Sequence, residues 1–287
     1  MVQTQLGKLK GEIVSSKRKS LVLEQKLGKG FTYLAKEEGG KIHIVKFGPS
    51  IFAEYKTLTK LRKRGGHPNV MTEGEILEGV LRVSHNSAVA TNEKIEYLHL
   101  PYLGDKNMLD FIQRRILKFP EFMQLFIPYL DGLNHIHKFG IVHGDVKPTN
   151  VMMGRLTKKQ IKKNKLRPIF IDFEDTQEDT SVTTCTPDYI APEVLDGIYT
   201  PKVDLYSTGI IMFRALTNYL PFHGGTYTDI FRAHRTKPVP KIPGVPERLE
   251  RIVGKLLEKD PDKRFDSAAE VKEELLKVLV DYSLLKK

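Results

Sequence analysis

Positions 143–150 read His-Gly-Asp-Val-Lys-Pro-Thr-Asn and bring together three side chains that suit phosphoryl transfer. Asp145 can accept a proton from an alcohol, Lys147 can neutralise charge on the migrating group, and Asn150 can offer a neutral oxygen to Mg²⁺. Phosphoryl transfer depends mainly on positioning and electrostatic compensation, and these residue types supply both. A polar loop without chemistry would fit this segment about equally well, so the rest of the chain must decide.

Three further segments could position a nucleotide and a metal ion. Gly28 and Gly30 form a glycine-rich turn between two apolar runs, where backbone N–H groups can approach phosphate oxygens. Lys46 is the one lysine in an apolar run, and Asp172 directly follows the apolar run 169–171, a position that suits a metal ligand. Each signal is weak alone, because most such glycine pairs are hairpin turns and most such lysines are solvated.

The order of these segments along the chain is more informative than any one of them. Three later segments continue it: Ala-Pro-Glu at 191–193, Asp-Leu-Tyr-Ser-Thr-Gly at 204–209, and Asp-Pro-Asp-Lys-Arg at 260–264. Seven segments in this order are not a coincidence. From about residue 21 to about residue 280, the chain resembles the eukaryotic-like protein kinase family.

The resemblance implies an ATP-dependent enzyme that phosphorylates Ser and Thr hydroxyls of protein substrates. In that family's terms, Asp145 is the catalytic base and Lys147 its catalytic partner. Asn150 and Asp172 are the ligands of Mg²⁺, with Mn²⁺ as the alternative cation. Lys147, two residues after the base, and Thr186 resemble the serine/threonine branch, since tyrosine kinases place their cation elsewhere on this loop.

The resemblance also implies a nucleotide site. Gly28 and Gly30 correspond to the first two glycines of the loop that covers the phosphates. Lys46 corresponds to the strand lysine that holds the α- and β-phosphates, and Glu54 to its ion-pair partner on a helix. The residues implied to surround the adenine are Ala35, Ile44, Pro101, Leu103 and Met152.

Three positions depart from the family's pattern. Tyr33 stands where the third glycine of the phosphate loop is expected, which should stiffen the loop. Gly144 replaces the arginine before the catalytic aspartate, which marks the chain as the non-RD type. Glu174 replaces the glycine after Asp172 and Phe173. None of these changes removes a group that would touch Mg²⁺ or the transferred phosphoryl group.

Several other residues have structural roles in the family. The resemblance implies that Glu193 pairs with Arg264 and that Asp204 braces the catalytic loop from beneath. His143 is expected to be a structural histidine and not a proton shuttle. His137, on a segment with helical apolar spacing, is expected to be a packing or surface group and not a metal ligand.

Two alternatives of other classes remain open at the level of sequence. A pseudokinase scaffold would have the same fold. The departures at Tyr33 and Glu174 leave this alternative open, although Lys46 and Asp145 are intact. A small-molecule kinase shares the His-Gly-Asp-x-x-x-x-Asn string. The Ala-Pro-Glu motif at 191–193 resembles the protein kinase branch instead.

The composition suits a globular intracellular protein. Of 287 residues, 40% are hydrophobic, which is enough to bury a sizeable core. The one cysteine, Cys185, excludes an internal disulfide framework and indicates a reducing compartment. No signal-peptide pattern opens the chain, and no apolar stretch approaches the ~20 residues that a membrane span needs. We therefore expect a cytoplasmic protein with no membrane contact, and the sequence leaves its oligomeric state open.

The net charge of +11 is concentrated in two segments. Residues 1–20 carry +4, and residues 155–167, which contain no acid, carry +7. The second segment is an insertion between Asn150 and Asp172, where the family usually has a shorter hairpin. A solvated turn and a docking site for an anionic partner, such as nucleic acid or an acidic protein, are both open interpretations.

The pattern of apolar residues predicts a small β-rich lobe before a larger helical lobe. The resemblance implies that these are the N-lobe and C-lobe of an α+β protein with the two-lobed protein-kinase-like fold. The predicted domains are a basic N-terminal extension at 1–20, the N-lobe and hinge at 21–103, and the C-lobe at 104–287 with the basic insertion 155–167. The predicted N-lobe elements are strands at 21–27, 31–37, 41–47, 74–83 and 95–101 and a helix at 50–64.

Overall fold

The chain divides into two compact units. The computed structural model describes residues 11–14, 20–28, 30–83, 91–154, 166–173 and 186–284. Unit 1 comprises residues 1–65 and 72–102, and unit 2 comprises residues 66–71 and 103–287. The division between Tyr102 and Leu103 lies one residue from the boundary expected between 103 and 104.

Unit 1 is built around an antiparallel β-barrel. Its strands are β1 (Gly11–Val14), β2 (Leu21–Leu27), β3 (Thr32–Glu37), β4 (Ile42–Lys46), β5 (Glu75–Val83) and β6 (Thr91–Pro101). The barrel order is β1-β2-β3-β4-β6-β5, and β1 closes it by pairing with both β2 and β5. Residues 11–14 are therefore part of the barrel, and the prediction that 1–20 lies outside the lobe is wrong for them.

The barrel interior is filled by alternate residues of its strands, because successive side chains of a strand point to opposite faces. Tyr33 is 1% exposed and packs edge-to-face on Phe47, with ring centroids 5.7 Å apart. Burial of such rings is a main source of the stability of a small barrel. The buried cluster contains Ile13, Leu21, Leu23, Tyr33, Ala35, Val45, Phe47, Leu77, Leu81 and Tyr97.

Helix α1 (Ser50–Lys63) follows β4 through a tight turn, in which Gly48 has a φ of +107°. Ser50 is the first helical residue, and Pro49 precedes it without a side-chain cap. A Cβ on Gly74, just before β5, would lie 2.9 Å from Leu100 and 3.0 Å from Leu58. A side chain at position 74 would thus crowd the two leucines where α1 packs on the barrel.

Unit 2 is mainly helical. Its α-helices are α2 (Met108–Ile112), α3 (Phe119–Lys138), α4 (Pro201–Thr217), α5 (Tyr227–Thr236), α6 (Glu247–Leu256) and α7 (Ala268–Leu284). Helix α4 is buried along most of its length, and the Tyr129 hydroxyl of α3 lies 3.1 Å from the Thr208 hydroxyl of α4. Both hydroxyls are buried, so this contact satisfies polar groups that water cannot reach. In the described part of the chain, every helix is too short or too polar to cross a membrane.

A short hairpin in unit 2 follows the loop of positions 143–150. Strand β7 (Val151–Met153) pairs with β8 (Pro168–Phe170), and the Asn69 amide fixes β8 by donating to the Pro168 carbonyl at 2.6 Å. Residues 155–165 of the basic insertion lie outside the described residues. Arg167, its last residue, donates from Nε to the Pro68 carbonyl at 3.2 Å.

Glu193 and Arg264 form a buried bidentate ion pair, with oxygen–nitrogen distances of 2.5 and 2.8 Å. Both guanidinium and carboxylate are almost wholly buried, and Arg264 also donates to the Glu258 and Lys202 carbonyls. A buried pair is stable only when its remaining hydrogen-bonding groups are satisfied, as they are here. The contact predicted between these two residues is confirmed.

Candidate active site

Asp145 is held through one oxygen of its carboxylate. Lys147 Nζ lies 2.5 Å and Asn150 Nδ2 lies 2.9 Å from Asp145 Oδ2, and Asn150 Nδ2 also donates to the Asp145 carbonyl at 3.0 Å. The carboxylate side chain is 30% exposed. Among the hydrogen bonds of the described residues, none reaches Oδ1, so this oxygen is available to a hydroxyl group. The structure brings the three residues of the predicted catalytic loop together.

Asp204 holds the backbone of this loop from below. Its Oδ2 accepts the His143 N–H at 2.9 Å and the His137 Nε2–H at 2.8 Å, and its Oδ1 accepts the Gly144 N–H at 2.9 Å. The carboxylate is 1% exposed. Three donors satisfy a buried charge and fix the two residues that precede Asp145. The bracing role predicted for Asp204 is confirmed.

His143 links the catalytic loop to the segment of Asp172. Its Nε2 donates to the Ile171 carbonyl at 3.0 Å, and its ring lies 5.1 Å from the Phe173 ring. The Ile171 N–H in turn donates to the Asn150 carbonyl at 3.0 Å. These bonds hold the residue before Asp172 beside Asn150. His143 is buried among them, which fits the structural role expected for it.

Asn150 and Asp172 suit a magnesium ion. Because the Asn150 amide nitrogen donates to Asp145, its oxygen is the atom left for a cation. Asp172 has a φ of +65°, a left-handed conformation that non-glycine residues rarely adopt outside constrained sites. The described residues contain no group of three or more His, Cys, Asp or Glu that could hold a metal ion. Mg²⁺ does not need one, since it binds through one or two protein ligands, waters and substrate phosphates.

Lys46 and Glu54 form an ion pair within unit 1. Lys46 Nζ lies 2.7 Å from Glu54 Oε2, and the two side chains are 14% and 4% exposed. Lys46 ends β4, and Glu54 lies in the second turn of α1, which begins four residues earlier. The tight turn at Gly48 brings the helix back to the strand although only eight positions separate the two residues.

The pairing of β3 with β4 decides which side chains share the face of Lys46. Thr32 pairs with Lys46, and Leu34 pairs with Ile44. Directly paired residues of two strands point to the same face, so Thr32 and Leu34 lie on the face of Ile44 and Lys46. Ala35 is wholly buried on the opposite face, inside the barrel.

Two expectations about the phosphate loop are therefore corrected. Ala35 does not share the face of Ile44 and Lys46, whereas Leu34 does. Tyr33 fills the barrel core and does not stiffen an exposed loop. Both errors have one physical cause: the pairing of β3 with β4 turns Tyr33 and Ala35 to the barrel interior, opposite the face of Leu34 and Lys46.

The remaining predicted nucleotide residues lie at the ends of elements. Gly28 is exposed with a φ of +67°, and a Cβ at Gly28 or Gly30 would meet no neighbour within 4 Å. Pro101 ends β6 in unit 1, whereas Leu103 begins the continuous part of unit 2. Met152 is the middle residue of β7 and is paired with Ile169. The adenine contacts of these residues stay predictions.

The segment that begins at Thr186 is anchored to α4. The Tyr189 carbonyl accepts the Ser207 hydroxyl at 2.7 Å, and the Tyr189 hydroxyl accepts a bond from Arg214 at 2.6 Å. Burial raises the pKa of the Tyr189 phenol, and the neighbouring Arg214 opposes that rise. The segment is thus fixed in place at its end. Residues 174–185, including Glu174 and Cys185, lie outside the described residues.

The sequence interpretation missed His137 and Leu34. His137 bonds Asp204 from 67 positions away in the sequence, and it is 8% exposed at its side chain. A histidine at the end of an apolar helix gives no signal of such a partner. Leu34 gives no clear signal either, because Thr32 and Leu34 alternate with Tyr33 and Ala35, and each of these pairs contains one aliphatic side chain.

Comparison with known proteins identifies the family of this chain. The model of the protein kinase domain matches residues 35–276. The chain belongs to the protein kinase family. It is 27% identical to the serine/threonine-protein kinase PknB of Mycolicibacterium smegmatis over 67% of its own length and 32% of that protein. It is 34% identical to the serine/threonine-protein kinase PkaB of Streptomyces coelicolor over 47% of its own length and 34% of that protein.

Among solved structures, the chain is similar to Rad53 1-466 in complex with AMP-PNP, with a TM-score of 0.65. The identity is 20%, and the match covers 92% of this chain and 64% of that one. The likeness shows the fold, and the predicted α+β protein kinase fold is confirmed. The chain spans about a third of the length of the two bacterial kinases, 32% and 34%.

Proposed function

We propose that this protein transfers the γ-phosphoryl group of ATP to Ser and Thr hydroxyls of protein substrates. The observation that carries the proposal is the arrangement around Asp145. Lys147 and Asn150 both hold Oδ2 of its carboxylate, and Oδ1 remains available to an acceptor hydroxyl. A base must lie within hydrogen-bond reach of the proton that it takes, and this loop fixes the base without blocking it.

The chain's own residues would then act as follows. Asp145 orients the acceptor hydroxyl and receives its proton. Lys147, which bonds Asp145, compensates charge on the phosphoryl group as it moves. Lys46 holds the α- and β-phosphates, and Glu54 keeps the Lys46 ammonium in place. Asp204 fixes the backbone before Asp145, so that little reorganisation is needed during the reaction.

The cofactors of this proposal are ATP and Mg²⁺. Asn150 and Asp172 would hold the cation, and Gly28 and Gly30 would cover the phosphates. When bound, Mg²⁺ neutralises the phosphate oxygens and aligns them. Ile44 and Leu34 would contact the adenine from unit 1, and the contacts of Pro101, Leu103 and Met152 remain as the resemblance implies them.

A serine/threonine acceptor is supported by two features. Lys147 follows the base by two residues and contacts its carboxylate at 2.5 Å. Thr186 precedes a segment that Ser207 and Arg214 anchor through Tyr189, which gives an acceptor peptide a fixed support. The printed names of the bacterial relatives are those of serine/threonine-protein kinases.

The alternatives lose support at the same sites. A pseudokinase scaffold has no need of an assembled Lys46–Glu54 pair together with an assembled Asp145 loop, and this chain has both. A small-molecule kinase is not favoured either, because Glu193 of the Ala-Pro-Glu motif forms the buried pair with Arg264.

An anionic partner of the basic insertion 155–167 stays a second part of the proposal. The segment carries +7 and no acid, and polyanion binding to such a segment should weaken steeply with salt. The measurement is the salt dependence of polyanion affinity before and after neutralisation of four lysines. They are Lys158, Lys159, Lys162 and Lys163. Unchanged affinity for each polyanion would leave a solvated turn.

The decisive experiment is phosphoryl transfer from labelled ATP, with Mg²⁺ and a panel of generic protein substrates, followed by phosphoamino-acid analysis. We expect phosphoserine and phosphothreonine from the parent and no transfer from Asp145→Asn. Asp145→Asn should still bind ATP, because this side chain faces the acceptor. The matched control is Asp266→Asn, at a side chain that is 88% exposed, which should keep parental turnover. Undiminished transfer by Asp145→Asn, or mainly phosphotyrosine, would refute the proposal.

A further inference from the structure

The solvent-exposed face of α1 carries one aromatic ring and three lysines. Phe52, Lys56, Lys60 and Lys63 follow one another at intervals of three or four residues, which places them along one side of a helix. Phe52 is 47% exposed, and the three lysines are exposed as well. We call these four residues the basic face of α1.

The basic face has no compensating negative charge on its own helix. Glu54 is the only acid in α1, and it is buried on the other side against Lys46. Among the ion pairs of the described residues, none involves Lys56, Lys60 or Lys63. The three ammonium groups thus face solvent without an ion-pair partner in the described part of the chain.

A purely local role explains only part of this pattern. Lys60 and Lys63 lie in the last turn of α1, where positive charge favours the negative end of the helix dipole. Lys56 lies in the middle of the helix, beyond the reach of that effect, and Phe52 lies in its first turn. An exposed phenylalanine contributes nothing to the dipole. Lys56 and Phe52 thus need another explanation.

We propose that the basic face of α1 is a docking surface for an acidic segment of a partner protein, with an apolar side chain placed against Phe52. From Lys56 to Lys63 the helix rises about 10 Å, at 1.5 Å per residue. A partner segment of three or four extended residues, or of about two helical turns, has this length. Carboxylates on such a segment could meet all three lysines at once.

The surroundings favour a polypeptide over a nucleic acid. Tight binding of nucleic acid needs several phosphate contacts along a continuous positive track. The basic face of α1 holds only three lysines, over about 10 Å of helix. A phosphate backbone would find few contacts there, whereas a short acidic segment can place all its carboxylates on the helix.

The proposal is tested on the whole chain by fluorescence anisotropy with a labelled short peptide in which glutamates surround one phenylalanine. We expect Lys56→Gln/Lys60→Gln/Lys63→Gln to weaken the affinity at least about tenfold, equal to about 1.4 kcal/mol. The matched control removes three exposed lysines of unit 2 and should weaken it less than about twofold, since overall charge acts only weakly at a distance. This control variant is Lys118→Gln/Lys237→Gln/Lys241→Gln.

Two smaller variants keep the test independent of folding. Lys56→Gln changes no residue of the last turn, so the dipole of α1 is unaffected, and it should weaken peptide binding about threefold. Phe52→Ser should also weaken peptide binding about threefold. A second peptide, with serine in place of its phenylalanine, should bind the parent and Phe52→Ser with equal affinity. The thermal unfolding temperature of each variant, compared with that of the parent, checks that the fold is kept.

Three outcomes would overturn the proposal. Equal losses in the two triple variants would show attraction by overall charge. Unchanged affinity in Lys56→Gln/Lys60→Gln/Lys63→Gln would show that the peptide does not bind α1. A single-stranded oligonucleotide of the same charge that binds α1 more tightly than the peptide would make the basic face a nucleic-acid surface.

Discussion

The Asp204 carboxylate accepts the N–H of Gly144 at 2.9 Å, and Gly144 holds a φ of +73° there. The residue before the proposed base is thus fixed in a left-handed conformation, in which a residue with a Cβ is strained. Gly144 has no such cost. The same substitution that removes an arginine from the family's pattern also relieves the backbone beside Asp145.

We predict that Gly144→Ala lowers the free energy of unfolding by about 1–2 kcal/mol, the cost of a Cβ in the left-handed region. Urea unfolding measures this change. The control is Gly254→Ala in the interior of α6, where a Cβ meets no neighbour within 4 Å. Alanine should stabilise that helix by about 0.5–1 kcal/mol. Equal stability of Gly144→Ala and the parent would show that φ is not constrained at this position.

Asp204→Asn should be among the most damaging single changes in unit 2. An amide keeps one acceptor oxygen but turns an NH₂ group towards the donors of His137, His143 or Gly144. Breaking a buried charged contact of this kind costs about 3 kcal/mol or more. We expect kcat to fall together with the stability, because the loop of Asp145 loses its support. The KM for ATP should change little.

The control for that variant is Asp131→Asn. Asp131 pairs with Lys272 at 2.6 Å, but both side chains are partly exposed. Such a pair contributes less than about 1 kcal/mol, so the control should unfold close to the parent and keep its kcat. If the two variants lose the same stability and activity, Asp204 has no special bracing role.

Loss of the Lys46–Glu54 ion pair in unit 1 should lower the catalytic efficiency with ATP. Glu54→Gln keeps the shape of the side chain but removes the charge that holds Lys46 at 2.7 Å. We expect kcat/KM for ATP to fall about 100-fold, or roughly 2.7 kcal/mol. Glu24→Gln, which breaks an exposed pair with Lys36 at 3.8 Å, is the control and should have no such effect. Steady-state kinetics at varied ATP distinguish the two.

The register of β3 can be tested through Leu34 and Tyr33. Leu34→Ala should raise KM for ATP, by about tenfold, and should leave the fold intact, because Leu34 shares the face of Ile44 and Lys46. Tyr33→Ala should instead destabilise the protein by about 3–5 kcal/mol, since it empties the barrel core. Ala35→Gly is the control for ATP binding. A rise in KM for Ala35→Gly without one for Leu34→Ala would contradict the register.

Some features were predictable from sequence because they are local, and others were not because they depend on distant partners. The Asp145 loop places its three groups within six residues, so spacing alone identifies it. Strand β1 is only four residues long, too short for a periodic signal, and it exists because β2 and β5 both pair with it. Likewise the face of Leu34 is set by the register of β3 against β4.

The final prediction concerns regulation and rests on Gly144. In the family, the arginine at this position receives a phosphate on the activation segment and makes activity depend on it. Gly144 has no guanidinium to do so. The segment that would be phosphorylated already contains four acids, which would repel an added phosphate. They are Glu174, Asp175, Glu178 and Asp179.

Phosphatase-treated enzyme should therefore start turnover without a lag, and replacement of the segment's hydroxyl residues should change little. We expect turnover within a few-fold of the parent, a barrier change of no more than about 1 kcal/mol. The four alanine substitutions are Thr180→Ala, Ser181→Ala, Thr183→Ala and Thr184→Ala. A loss of about 100-fold on dephosphorylation, roughly 2.7 kcal/mol, would show that another cation replaces the missing arginine and that phosphate does control this enzyme.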